Sequence, residues 1–91
     1  MFEITWTDYM LYRSNLRGFN LEQLEDIIRY SSERYYDTAT GRQVVVGKYN
    51  NTVVIIPYEM ENDSIIPITV HATSRQQIKF RINNGRFIIN E

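Results

Sequence analysis

The chain has 91 residues, 43% of them hydrophobic, and a formal charge of −1, which suits one domain spanning residues 1–91 and argues against a uniformly basic nucleic-acid binder. With no cysteine, disulfides and thiolate metal sites are excluded, and stability must come from packing. The opening MFEITWTDYM carries an acid at position 3 and no apolar leader run, and no window is long enough to cross a membrane, so a soluble cytoplasmic protein is expected.

Phe2 to Trp6 alternates apolar and polar residues, as a short strand does, and Thr7 is suited to cap a following helix. Gly18 is expected to end that helix. Asn20 and Gln23 have the spacing of a capping box, and Leu21, Leu24, Ile27 and Ile28 form the apolar stripe of a second helix. Beyond Ser31 the pattern turns to β: an extended piece at Tyr35 to Asp37, then runs at Arg42–Lys48, Thr52–Tyr58 and Ile65–His71. Short turn-rich links at Asn50-Asn51 and at Glu61 to Ser64 make these an antiparallel meander. Pro57 and Pro67 lack N–H groups, so each requires an edge, a bulge or a strand end.

The last segment admits two readings. Ile78, Phe80 and Ile82 alternate with Lys79 and Arg81, and Asn84-Gly85 is a hairpin signal. Against a hairpin, Thr73 with Gln76 and Ser74 with Gln77 have capping-box spacing, and Gly85 lies where a helix would stop. A helix over Ser74–Asn83 and a short strand from Arg86 are the expectation. The fold class is therefore α+β: two N-terminal helices on an antiparallel sheet of three to five strands, with a C-terminal helix.

Charge is unevenly placed. Thr69 to Phe87 holds the only histidine and four cations within 19 residues and no acid, a local reversal of sign that can face phosphate. Strand parity groups His71 with Thr69 and Pro67, opposite Ile66, Ile68 and Val70, and so on the wetter face if those three face the core. An imidazole there can serve as general acid or base near neutral pH, or simply end a strand. Arg75, Arg81 and Arg86 are suited to gripping phosphoryl oxygens, with a solvated surface as the alternative. In the first helix Tyr9, Arg13 and Arg17 follow one another at intervals of four, so an aromatic and two cations share a stripe that could hold RNA or pack against the second helix's acids. Lys48 follows Gly47, where backbone could approach a ligand, and Lys79 shares the Arg75 face. There is no phosphate-cradling glycine loop, no Gly-x-Ser-x-Gly elbow and no zinc-ligand spacing, so neither a metal nor another cofactor is expected. Glu59, Glu61 and Asp63 cluster at a turn, where solvated acids are ordinary.

Three stretches, ITWTDYMLYRSNLRGFNLEQLEDII, YDTATGRQVVVGKYNNTVVIIPYE and ITVHATSRQQIKFRINNGRF, resemble a small bacterial family, common in cyanobacteria, that is placed near the RelE and BrnT toxins. The resemblance implies a RelE-like domain acting as the toxin of a toxin–antitoxin pair, with a small antitoxin-like protein as partner. It also implies metal-independent endoribonuclease action on mRNA, commonly on the ribosome. In such an enzyme His71 or Tyr9 would take the proton of an RNA 2′-hydroxyl, and Arg75, Arg81 and Arg86 would stabilise the phosphorus-centred charge. Arg13, Arg17, Lys48 and Lys79 would position RNA. Family members often carry histidine where this chain has Tyr9, which weakens an acid–base role there. The competing expectation is a non-catalytic interaction domain of the same fold, binding an acidic partner or pairing with a second copy as a homodimer.

Overall fold

The computed structural model describes residues 2–89. After β1 (Glu3–Ile4) comes helix α1 (Asp8–Leu16), started by Thr7, whose Oγ1 accepts the Met10 N–H at 3.1 Å. Gly18, at φ +74°, turns the chain so that Phe19 N–H reaches the Ser14 carbonyl at 2.8 Å. Helix α2 (Leu21–Tyr30) begins at Asn20, whose Oδ1 accepts the Gln23 N–H at 3.2 Å, and buries Leu24, Ile27 and Ile28.

The β region comprises β2 (Arg34–Asp37), β3 (Arg42–Tyr49), β4 (Thr52–Glu61), β5 (Ser64–Pro67) and β6 (His71–Thr73). Helix α3 (Arg75–Asn83) and β7 (Phe87–Ile89) complete the described chain. Ser74 Oγ accepts the Gln77 N–H at 3.1 Å and starts α3, so the terminal segment is helical rather than a hairpin. The fold is α+β, with a seven-stranded sheet in the order β1-β5-β4-β3-β2-β7 and β6 added alongside β4. This corrects the expected antiparallel sheet of three to five strands: β1 runs parallel to β5, so the sheet is mixed, and β6 and β7 enlarge it.

The run Ile65–His71 is not one strand. Pairing of β4 with β5 ends at Tyr58 opposite Pro67, and pairing with β6 begins at Ile55 opposite His71. Pro57 lies in the gap between them, where its carbonyl accepts the Ile68 N–H at 2.8 Å. The irregular residues 68–70 change the phase, so Ile65, Pro67 and Val70 are all buried. The parity expected for Pro67 is thereby corrected, while His71 still faces away from Val70.

Period-two alternation on β3 and β4 gives the sheet two faces. Val45, Val54, Ile56 and Tyr58 meet Met10, Leu24, Ile27 and Ile28 from α1 and α2. Val44, Val46 and Ile55 meet Ile78 of α3 and Phe87 of β7 on the opposite face. Gly47 permits the first of these layers: a Cβ there would lie 2.4 Å from Ile27 Cγ2. The side chain that approaches the backbone at Gly47 is Ile27 of α2. No helix among the described residues is long and apolar enough to cross a membrane.

Candidate functional site

On the face shared with α3, the sheet and the helix enclose a groove of about 440 Å³. Val44, Ile55 and Pro57 contribute its apolar floor, His71 and Arg81 line one part, and Asp37, Arg42 and Arg86 another. His71 reaches the groove because its register partner is Ile55, and directly opposed residues on antiparallel strands share a face. Arg81 comes from α3, one turn beyond buried Ile78, with its guanidinium 5.5 Å from the centre of the Phe87 ring. This cation–π contact holds the charge at the groove without a carboxylate.

Arg86 is held in place from β2. Its Nε and Nη2 donate to Asp37 Oδ1 and Oδ2 at 2.9 and 3.0 Å, a two-point grip on a carboxylate that is only 4% exposed. Burial alone pushes the Asp37 carboxyl up. The Arg86 hydrogen bond and charge, the Ala39 N–H and the Thr40 side chain outweigh it and hold the group below its ordinary 3.8. Arg42 stands opposite Asp37 in the β2–β3 register, and its Nε is buried without a hydrogen-bond partner, as is the Oγ1 of Thr69 across the groove.

His71 is the only histidine of the chain, and its surroundings favour the neutral form. Partial burial lowers its pKa from 6.5, and the charges of Arg17, Arg13 and Arg81 lower it further. Arg17, at the end of α1, places Nη1 3.3 Å from the Val70 carbonyl and 3.5 Å from His71 Nδ1. A guanidinium can only donate, so the ring is assigned its lone pair on Nδ1 and its proton on Nε2.

The structure brings His71, Arg81 and Arg86 into one groove and sets Arg17 at its rim. It adds Arg42, which the sequence reading missed although alternation with Val44 places it on the same face. The adjoining helix carries Tyr9 and Arg13, with the Arg13 guanidinium 5.8 Å from the centre of the Tyr9 ring. Arg75 is drawn elsewhere, donating to both oxygens of Glu33 at 2.7 and 2.8 Å. Lys79 is exposed on α3 and does not line the groove. Lys48 borders a separate shallow depression with Gln23 and Asp26 beside α2. Among the described residues, Arg13, Arg17, Arg42 and Arg81 have no carboxylate within 4.0 Å, and no group of three or more His, Asp or Glu is arranged to hold a metal ion.

A half-buried imidazole whose surroundings favour its neutral form, guanidinium groups in the same groove and at its rim, and an apolar floor are suited to an oxyanion attached to a less polar body. Such a site can bind a phosphodiester, and the neutral imidazole can accept a proton next to it. The chain matches no family model, no curated protein and no solved structure, so the reading of this groove rests on its own geometry.

Proposed function

We propose that the groove takes the sugar–phosphate backbone of RNA and cleaves it without a metal. The observation that carries this reading is the geometry at His71: Arg17 lies 3.5 Å from its Nδ1, and Arg81, Arg42 and Arg86 line the same groove, surroundings that favour the neutral imidazole. Arg17 is exposed and its contact with Nδ1 is long, so an arriving phosphate competes for Arg17 and uncovers the Nδ1 lone pair. Nδ1 then takes the proton of a 2′-hydroxyl, whose oxygen attacks the adjacent phosphorus. The bond from phosphorus to the 5′-oxygen breaks, that oxygen takes up a proton from water, and the His71 imidazolium returns its added proton to the hydroxide so formed. The products are a 2′,3′-cyclic phosphate and a 5′-hydroxyl. Arg81 and Arg42 stabilise the charge that builds on the non-bridging oxygens, and Arg86, anchored by Asp37, keeps the groove's cationic end in place.

The layering of two helices on one sheet face agrees with the RelE-like architecture that the sequence resemblance implies. In that reading the chain is the toxin of a toxin–antitoxin pair in the cytoplasm, acting on free or ribosome-bound mRNA, and a small antitoxin-like protein covers the groove. A second reading, a non-catalytic interaction domain that self-associates or binds a partner, is favoured by the edge strand β7, which exposes Ile88 and Ile89.

The deciding experiment is cleavage of end-labelled mRNA in EDTA, with and without ribosomes, by wild-type protein and the Arg81→Ala variant, each shown to be folded. Products with 5′-hydroxyl ends that the variant fails to make support the nuclease. Intact RNA in every lane, together with dimerisation or partner capture that β7 substitutions abolish, supports the interaction domain.

A further inference from the structure

The outward face of α1 has no part in the core. Residues 9, 12, 13 and 16 share one side of a helix at 100° per residue, and here that side presents Tyr9, Tyr12 and Leu16 at 55%, 62% and 62% exposure. The core contribution of α1 comes from Met10 and Ser14 instead. The charges beside these rings are Arg13, which lies over the Tyr9 ring, and Arg17, which touches His71. The sole acid of the helix, Asp8, is in its first turn. From Arg17 back to Tyr9 is about 12 Å of helix axis.

We propose that this face is a base-stacking subsite for single-stranded RNA, an inference that rests on the groove taking RNA phosphates. A strand leaving the groove past Arg17 meets Arg13 with its next phosphate and lays its unpaired bases on Tyr9 and Tyr12. Aromatic rings interleaved with guanidinium groups recognise this ligand because each base offers a π face while each phosphate needs a cation. A duplex keeps its bases stacked on one another and cannot use the rings. Tyr9 is then a stacking residue, and its hydroxyl takes no proton from the substrate.

The test uses RNA oligonucleotides carrying 2-aminopurine, a base whose fluorescence is quenched on stacking, added to the 91-residue chain. Wild type is expected to quench the probe in single strands and to bind the matching duplex more weakly. Replacing both rings by Tyr9→Ala and Tyr12→Ala should abolish quenching and weaken single-strand binding about 10- to 100-fold. Tyr9→Phe, which keeps the ring and removes only the hydroxyl, should still quench the probe in single strands. The inference is overturned, with the groove reading intact, if the double alanine variant binds and quenches like wild type while Arg81→Ala loses binding. It is likewise overturned if the double variant turns a dimer into a monomer without altering RNA binding, since the face then belongs to a second copy. Loss of cleavage in Tyr9→Phe alone would return the hydroxyl to catalysis. Absence of RNA binding by folded wild-type protein would overturn this subsite and the proposed function together.

Discussion

Arg17 Nη1 lies 3.5 Å from His71 Nδ1 and 3.3 Å from the Val70 carbonyl, so the end of α1 is tied to the strand that carries the histidine. The consequence is electrostatic as well as structural. After burial, the Arg17 charge is the largest influence keeping the imidazole pKa below 6.5. Cleavage that needs the free base should therefore rise with pH through an inflection below 6.5 and be level by neutrality. Arg17→Ala should move the inflection up towards 6.5 and lower the plateau. An NMR titration of the His71 ring in the free protein reads the same shift without turnover. Stability follows with a defined sign: between the folded pKa and 6.5 the unfolded chain binds more protons, so His71 makes stability rise with pH across that window.

The Asp37–Arg86 pair acts in the same direction over a more acidic range. Asp37 is held below 3.8, so its contribution to stability is complete above 3.8 and is lost as pH falls through the lower folded value. Asp37→Asn removes the charge and leaves Arg86 with a poorer partner, at a cost of about 2 kcal/mol, because Arg86 is open enough to water to soften the loss. Urea unfolding at pH 3 and pH 7 should show the difference between wild type and variant shrinking at the acid end.

The helices were legible because their start signals are local: Thr7, Asn20 and Ser74 each cap an N-terminus by accepting an N–H three residues on. That same local chemistry decides α3 against a hairpin, despite the alternation of Ile78, Phe80 and Ile82. The break at residues 68–70 was not legible, because it depends on Pro57 of β4 facing the interval between two partner strands. Nor was the parallel pairing of Glu3 with Ser64, which local pattern does not encode. Within the groove, His71, Arg81 and Arg86 stood out by charge, whereas Asp37 and Arg42 looked like ordinary turn-flanking residues. Their meaning comes from register, which sets them opposite one another, and from Arg86 reaching Asp37 across 49 residues of sequence.

Arg75 and Arg81, six residues apart on α3, should behave differently. Arg75 is 60% exposed and engaged with Glu33, which also accepts from the Tyr35 hydroxyl at 2.8 Å. Burial first, then that hydrogen bond and the Glu33 charge, push the Tyr35 hydroxyl up to about 12. Arg75→Ala should thus leave cleavage within about threefold of wild type and cost roughly 0.2–1 kcal/mol of stability. Arg81→Ala, which removes from the groove a cation that has no carboxylate within 4.0 Å among the described residues, should lower the single-turnover rate by about 10² to 10³. Equal losses in the two variants would mean that the substrate lies along the outer surface of α3 rather than in the groove.

Gly47 tests the layer beneath the site. An alanine there would set its Cβ 2.4 Å from Cγ2 and 3.0 Å from Cγ1 of Ile27, too close for any rotamer of a β-branched side chain fixed in a helix to escape. Gly47→Ala should destabilise the fold by roughly 1–3 kcal/mol as α2 is pushed off the sheet. Ile27→Ala alone leaves a cavity and should cost about 2–5 kcal/mol. Combined, the two changes remove the clash and partly fill that cavity, so their joint cost should fall below the sum of the separate ones. A double-mutant cycle by urea unfolding measures the coupling. Strict additivity would mean that α2 shifts freely on the sheet, and that Gly47 is not what sets the separation of the two layers.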